Sequence, residues 1–207
     1  MVVHPLWRPF APHANAARQL DRIAHRQADP GPLQMRQTAW DAEYSDVARV
    51  ITASIADQIV RLNHVGSTAV PGLLAKPIVD IDLIVPDVDD EFAYMPSLRS
   101  VGFRLIFRDD LSGDAHRQLA FANPNANVHV WSPDAVEPPR HELFTQHLQT
   151  NEAAREHYAE AKRVAAADDG SIRYNDLKAA VIYDLYEQAF LSDPLHHHDP
   201  QPHQPTK

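Results

Sequence analysis

The chain has 207 residues, 44% of them hydrophobic, a formal charge of −9 and no cysteine. That is enough apolar material for one domain with a real core. The composition excludes disulfides and thiolate metal sites and argues against non-specific binding to a nucleic-acid backbone. No run of about 18 apolar residues is present, so no membrane-spanning helix is expected, and with no secretory-type apolar stretch near residue 1 a cytoplasmic protein is expected.

Residues 1–32 are rich in Pro, His, Ala and Arg. Leu20 and Ile23 suit a short helix from Asn15 to Gln27, ended by Asp29-Pro30-Gly31-Pro32. The arm as a whole reads as a poorly ordered extension. Leu33 to Thr38 supports at most a short strand. A helix is expected from Trp40 to Arg61, where Trp40, Tyr44, Val47, Ala48, Ile51, Ile55, Ile59 and Leu62 recur at steps of three or four. Thr38 is its expected N-cap.

Residues 63–85 carry the chemistry. Pro77 to Val85 alternates as a strand, with Val79, Ile81, Leu83 and Val85 on one face and Ile78, Asp80, Asp82 and Ile84 on the other. Two carboxylates one pleat apart repel each other and lose hydration, and a divalent cation relieves both problems. Such oxygen donors suit Mg²⁺ or Mn²⁺. Upstream, Gly66 permits a tight turn, and the amides and hydroxyls of Ser67 and Thr68 suit phosphate oxygens. Pro71-Gly72 turns the chain back, and Lys76 stands just before the acidic strand. Each feature alone is more often a plain turn or a solvated strand face. The combination, in this order, is far more specific. It is not a P-loop, since Gly72 and Lys76 are separated, and no dinucleotide fingerprint is present.

These residues resemble a known family. His64-Val65-Gly66-Ser67-Thr68-Ala69-Val70-Pro71-Gly72, followed by Ala75-Lys76-Pro77-Ile78-Val79-Asp80, is similar to the signature of the GrpB family, also called UPF0157, of the nucleotidyltransferase superfamily. The resemblance covers roughly residues 33–191 and implies one α/β (α+β) domain: a nucleotidyltransferase-like mixed β-sheet with packed helices and a helical C-terminal portion. It also implies Asp80 and Asp82 as catalytic metal ligands and a triphosphate held by Gly66, Ser67 and Thr68.

After the acidic strand, Phe92, Met95, Leu98 and Val101 mark the buried stripe of a helix, disturbed near Pro96 and capped at Gly102. Phe103 to Phe107 reads as a strand, Arg108 to His116 as a loop, Arg117 to Ala122 as a strand, Asn123-Pro124-Asn125 as a turn, and Val128 to Trp131 as the partner strand. Arg117 corresponds to an Arg the family commonly carries, and Arg binds phosphate with two parallel hydrogen bonds. His129 points opposite to Val128 and Val130. The superfamily often supplies a third carboxylate at about this place; this strand offers His129 instead, either as a metal ligand or as a histidine hydrogen-bonded in the core. Asp109, Asp110 and Glu137 are candidates for a third carboxylate by proximity in sequence.

The remainder reads as helix: Pro139 to Gln149 with Phe144 and Leu148 on one face; Glu152 to Ala167 with Tyr158, Ala161, Val164 and Ala165; a break at Asp168-Asp169-Gly170; and Tyr174 to Leu191 with Leu177, Val181, Leu185 and Ala189. Tyr158 with Lys162, and Tyr174 with Lys178, are spaced i to i+4 and share a face. Both pairs match family positions. Lys162 reads as a surface lysine resting on its tyrosine, whereas Tyr174 and Lys178 are taken as phosphate-side residues. Residues 192–207 are Pro- and His-rich and are expected to be disordered, and His196-His197-His198 suits only weak nickel or zinc binding.

The expected function is metal-dependent transfer of a nucleoside monophosphate from a nucleoside triphosphate to an unidentified acceptor, with Lys76, Arg117 and Lys178 offsetting phosphate charge. Its alternative is a non-catalytic nucleotide- or phosphometabolite-binding module. GrpB-like domains fused to dephospho-CoA kinase make coenzyme A metabolism its family-level context. Neither a membrane nor a nucleic-acid partner is expected, and the sequence does not reveal an oligomeric state.

Overall fold

The computed structural model describes residues 1–10, 21–35, 37–111, 113–168 and 174–203. The chain divides into two compact units, 18–138 and 1–17 together with 139–207.

The first unit is built on a six-stranded mixed sheet. Its strands are β1 (Asp21–Arg22), β2 (Arg61–Val65), β3 (Val79–Ile84), β4 (Arg104–Leu111), β5 (Asp114–Ala122) and β6 (Asn125–Trp131), in the order β1-β4-β5-β6-β3-β2. Only β3 and β6 run parallel; every other neighbour is antiparallel. The alternation expected of β3 is present: Val79, Ile81 and Leu83 are sealed into a core with Val128 and Val130 of β6, Leu119 of β5, Val47, Ile51 and Ile55 of α1 (Ala39–Ile55), and Tyr94, Met95 and Leu98 of α2 (Glu91–Ser100). Apolar burial of this kind is the main term holding such a sheet to its helices.

Several boundaries differ from the sequence reading. The helix expected to reach Arg61 stops at Ile55, whose φ of −144° and ψ of 34° leave the helical region; a short 3-10 turn at Ala56–Gln58 follows, then β2. Ile59 and Leu62 continue the helical spacing by coincidence, and Leu62 pairs with Leu83 across the sheet. Thr38 has helical dihedrals and its side chain makes no capping bond. Among the described residues of 33–38 the sheet contact is the single bridge Gln34–Ala75. Of the helix expected over 15–27, residues 15–20 lie outside the described residues, and Asp21–Arg22 is an edge strand on β4. In α2 the buried stripe turns by one position: Tyr94, Met95 and Leu98 are inside, while Phe92 is 92% exposed. The Tyr94 hydroxyl donates to the Val88 carbonyl at 2.7 Å, satisfying its buried polar end. Gly102 terminates α2 as expected, with φ of 105° and its N–H on the Arg99 carbonyl. Within the stretch read as a loop, 108–111 end β4 and 114–116 begin β5: Arg108, Asp109 and Asp110 pair with Arg117, His116 and Ala115.

The second unit is helical: α3 (Glu137–Thr150), α4 (Glu152–Ala167), α5 (Tyr174–Leu177) and α6 (Ala179–Ser192). Asn151 caps α4 by accepting from the Ala154 N–H. The final helix is not continuous, because Lys178 separates α5 from α6. Asp169 and Gly170 of the expected break lie outside the described residues. Lys162 is not on the surface: it is buried on α4 with its Nζ 4.5 Å above the Tyr158 ring, while Val164 is exposed. The two terminal stretches of this unit meet each other: buried His4 stacks on Phe190 and its Nε2 meets Asp193, and buried His198 bonds Glu187.

Among the described residues no helix is long and apolar enough to cross a membrane.

Candidate functional site

Alternation decides which side chains share the face opposite the core. Register places Asp80 beside Asn127 and Asp82 beside His129 across the parallel β3–β6 pair, and Gln118 beside His129 across β5–β6. Partners in register point to the same side of a sheet, so one polar face gathers Asp80, Asp82, Asn127, His129, Trp131, His116 and Asp109.

The two carboxylates are held differently. Asp82 is fully buried, and its Oδ1 accepts from the indole Nε1 of Trp131 at 2.9 Å. Asp80 is half-buried, and its Oδ1 accepts from the Asn127 amide at 2.8 Å and lies 3.9 Å from His129 Nε2. Burial pushes the Asp80 carboxyl up, but His129, Asn127 and the Arg26 guanidinium more than offset this and hold it below its ordinary value. The group is therefore anionic at neutral pH, as a cation ligand must be.

The Gly66 turn lies directly against this carboxylate. Gly66 has φ of 70° and ψ of −164°, a conformation essentially reserved for glycine. A Cβ built there would fall 2.8 Å from Asp80 Oδ2. Ser67 follows in a 3-10 turn, Ser67–Ala69. Thr68 is turned inward: it is buried, with its hydroxyl oxygen 3.0 Å from His64 Nε2 and near the Ile78 carbonyl. His64 in turn stacks on Tyr44 at 4.7 Å. The Thr68 hydroxyl thus braces the turn. Lys76 is half-buried, three residues before β3.

Arg117 is not brought to this face. It pairs with Val130 and shares the side of Leu119, where its guanidinium bonds Glu91 at 2.6 Å and also Asp89. Arg108 binds the same Glu91 from the neighbouring strand. The clue was present in the sequence, since Arg117 stands two residues from Leu119 on one strand. Tyr174 and Lys178 belong to the helical unit, where Lys178 is buried with its Nζ 4.2 Å above Tyr174 and 5.7 Å above Tyr158.

Four further residues complete the polar face. Arg26, from the segment before β2, bonds the side chains of Asn127 and Asn125. Its Nε is buried without a hydrogen-bond partner among the described residues. Burial pulls its pKa down and Asp80 partly restores it. Trp131 carries Asp82. His116 and Asp109, both buried, continue the polar face away from β3: Asp109 Oδ1 lies 2.7 Å from His116 Nδ1, and His116 Nε2 lies 3.1 Å from His129 Nδ1. Of the other two candidate carboxylates, Asp110 stands on β4 opposite Ala115 and Glu137 opens α3. A compact three-donor group lies in the helical unit, His4, Asp193 and His196. There the Leu6 N–H donates to His4 Nδ1, which leaves the ring's proton on Nε2, bonded to Asp193, rather than a lone pair for a metal.

A mixed sheet with an acidic strand, a glycine turn against one carboxylate and helices over the opposite face define the class of this protein as α+β. The model of the GrpB protein family matches residues 32–188, and the chain belongs to that family. It is 34% identical over 152 residues to a UPF0157 protein of Halalkalibacterium halodurans, covering 72% of this chain and 77% of that protein. It is 31% identical over 167 residues to one of Streptomyces coelicolor, covering 77% and 87%. The crystal structure of conserved protein GrpB from Enterococcus faecalis superposes with a TM-score of 0.66 at 26% identity, covering 77% of this chain and 98% of that one. A dephospho-CoA kinase of Mycobacterium tuberculosis is 29% identical over 212 residues, 88% of this chain but 50% of that protein.

Proposed function

We propose that the polar face of the sheet is a metal-dependent nucleotidyl-transfer site, acting on a nucleoside triphosphate in the cytoplasm. The observation that carries this reading is the contact between the Gly66 turn and the Asp80 carboxylate. It sets a phosphate-sized turn and an anionic metal ligand side by side, in the order the sequence motif implies. Asp80 and Asp82 would hold a divalent cation, Mg²⁺ or Mn²⁺: Asp80, ionised and half-buried, suits one, while Asp82 is fully buried with its Oδ1 on Trp131 and would turn its other oxygen toward it. When bound, such a cation would supply Lewis-acid stabilisation of charge on the phosphate oxygens.

The chain's own groups do the rest. Gly66 and Ser67 would receive phosphate oxygens on backbone amides and the Ser67 hydroxyl, with Thr68 and His64 keeping the turn rigid. Arg26 and Lys76 would offset phosphate charge in place of Arg117. An acceptor hydroxyl would attack the α-phosphorus and pyrophosphate would leave. Tyr174 and Lys178 are not needed for this step.

The test is a panel of nucleoside triphosphates titrated calorimetrically with and without Mg²⁺, followed by assay of pyrophosphate release. Metal-dependent binding and release are expected in the wild type. Wild-type turnover persisting in Asp80→Asn would refute the assignment.

One observation favours a second reading, a nucleotide- or phosphometabolite-binding accessory module. The position beside Asp82 on β6 is His129, and Asp109 is engaged with His116, so neither offers a third carboxylate to the cation. The 29% identity to half of a dephospho-CoA kinase supports coenzyme A metabolism as the setting of such a module. Binding without pyrophosphate release would select it.

A further inference from the structure

Pairing across the sheet lines up one residue from each of four strands on the polar face. His129 of β6 stands beside Gln118 of β5, Gln118 beside Phe107 of β4, and Phe107 beside Arg22 of β1. Partners in register share a face. These four therefore form a row that starts beside Asp82 and ends at the edge of the sheet. From the spacing of neighbouring strands the row is about 14 Å long. His129, Gln118 and Phe107 are half-buried, and Arg22 is exposed.

Each member offers a different contact. Phe107 presents a ring with the Arg22 guanidinium 6.0 Å from its centroid, and aromatic faces stack on planar ligands. Gln118 is held in one orientation. The Asn127 amide nitrogen is given to Asp80, so its Oδ1 accepts from Gln118 Nε2 at 3.1 Å. Gln118 Oε1 is left to accept from a ligand N–H. Arg22 makes no ion pair among the described residues, whereas Arg108 and Arg117 are both held by Glu91. The row lies on the β6 flank of the acidic strand, and the Gly66 turn follows β2 on the other flank. In-line displacement at phosphorus sets the attacking and leaving oxygens on opposite sides. A triphosphate on the turn is therefore open to attack from the side of the row.

We propose that the row His129, Gln118, Phe107 and Arg22 is the acceptor subsite and that the acceptor is a small nucleotide. Its sugar hydroxyl lies beside His129, its heterocycle stacks on Phe107 and gives an N–H to Gln118, and its phosphate meets Arg22. This rests on the nucleotidyl-transfer reading above. The hydroxyl oxygen bonds to the α-phosphorus, the bond from that phosphorus to the pyrophosphate oxygen breaks, and the hydroxyl proton passes to solvent. The product is a dinucleotide joined by a phosphodiester. The row carries one arginine, which suits one phosphate rather than a polyanionic strand.

The experiment uses the full chain and adenosine monophosphate as probe, titrated calorimetrically with and without a saturating non-hydrolysable triphosphate and Mg²⁺. Monophosphate binding that persists beside the triphosphate is expected. Phe107→Leu should weaken it about tenfold or more, and Arg22→Gln should weaken it several-fold, with the loss shrinking at high salt. Purine riboside monophosphate, which lacks the amino group, should bind less tightly than the adenosine probe. Triphosphate binding should be unchanged in both variants. Displacement of the monophosphate by the triphosphate, equal binding by wild type and both variants, or no monophosphate binding at all overturns the proposal, while cation-dependent triphosphate binding keeps the transfer reading standing. Row-dependent monophosphate binding by a chain that binds no triphosphate overturns the acceptor role together with that reading. A short oligonucleotide that binds through the same residues more tightly than the monophosphate overturns the small-nucleotide class. Should Phe107→Leu fail to fold, Arg22→Gln, at an exposed position, decides.

Discussion

The two faces of β3 do opposite work. On one, Val79, Ile81 and Leu83 are sealed beneath α1 and α2, each fully buried and each contributing about 1.5–3 kcal/mol. On the other, Asp80 and Asp82 face amide, imidazole and indole donors. A buried carboxylate such as Asp82 costs several kcal/mol unless hydrogen-bonded, and the apolar face offsets what Trp131 does not. The difference teaches that stability and chemistry are separated by a single pleat. Substitutions at adjacent residues should therefore fail in different ways.

The strongest way to break the comparison is to put a charge on the wrong face. Leu83→Asp buries an unpaired carboxylate in the main core and should abolish the folded sheet unit, seen as loss of the cooperative thermal transition by circular dichroism.

Gly66→Ala tests the contact between turn and carboxylate. The backbone conformation alone should cost about 1–3 kcal/mol, and the Cβ meeting Asp80 at 2.8 Å adds to it. Denaturant unfolding should show the loss, and triphosphate binding should weaken more than stability does.

Trp131→Phe keeps an aromatic ring but removes the Nε1 donor from Asp82 and part of a fully buried side chain. A cost of about 1–3 kcal/mol is expected, with the core beneath α1 and α2 unaffected, as judged by the tyrosine signals of Tyr94.

The helix face carries one charged cluster, and it gives the smallest effect. The Glu91 carboxyl is held below its ordinary value by the hydrogen bonds of Arg108, with burial opposing and Arg117 adding to the depression. A depressed carboxyl stabilises the fold above its unfolded-state value, about 4.3, and that contribution is lost as pH falls through the lower folded-state value. Glu91→Gln should cost about 1 kcal/mol at neutral pH, because Arg108 is largely solvated. The gap in melting temperature between wild type and variant should close in acid.

How much of this was legible in the sequence depended on contrast between neighbours. β3 was legible because apolar and acidic residues alternate without interruption, and the Gly66 turn because Gly, Ser and Thr stand together. His129 was correctly set opposite Val128 and Val130. Asp109 was a candidate by sequence proximity alone, and His116 was hidden, because the hairpin tips of β4 and β5 are nearly all polar, so pairing rather than hydropathy makes them strands. β2 was masked by Ile59 and Leu62, which extend the helical spacing of α1. Arg26 sits in a stretch without periodicity, and only the tertiary fold brings it to Asn127. Arg117 misled because the expected chemistry of an arginine outweighed its place two residues from Leu119. Lys162 misled in the opposite sense, since a lysine spaced on a tyrosine reads as exposed until the packing of α4 buries it.

The most direct test of the central claim is a parallel calorimetric titration of one nucleoside triphosphate into wild type and Asp80→Asn/Asp82→Asn, each with and without divalent cation. Both substitutions lie on the polar face, so the variant should keep its fold and its thermal transition. Cation-dependent binding by the wild type, absent from the folded variant, is the predicted result. Equal binding by both proteins would place the nucleotide elsewhere and contradict the claim.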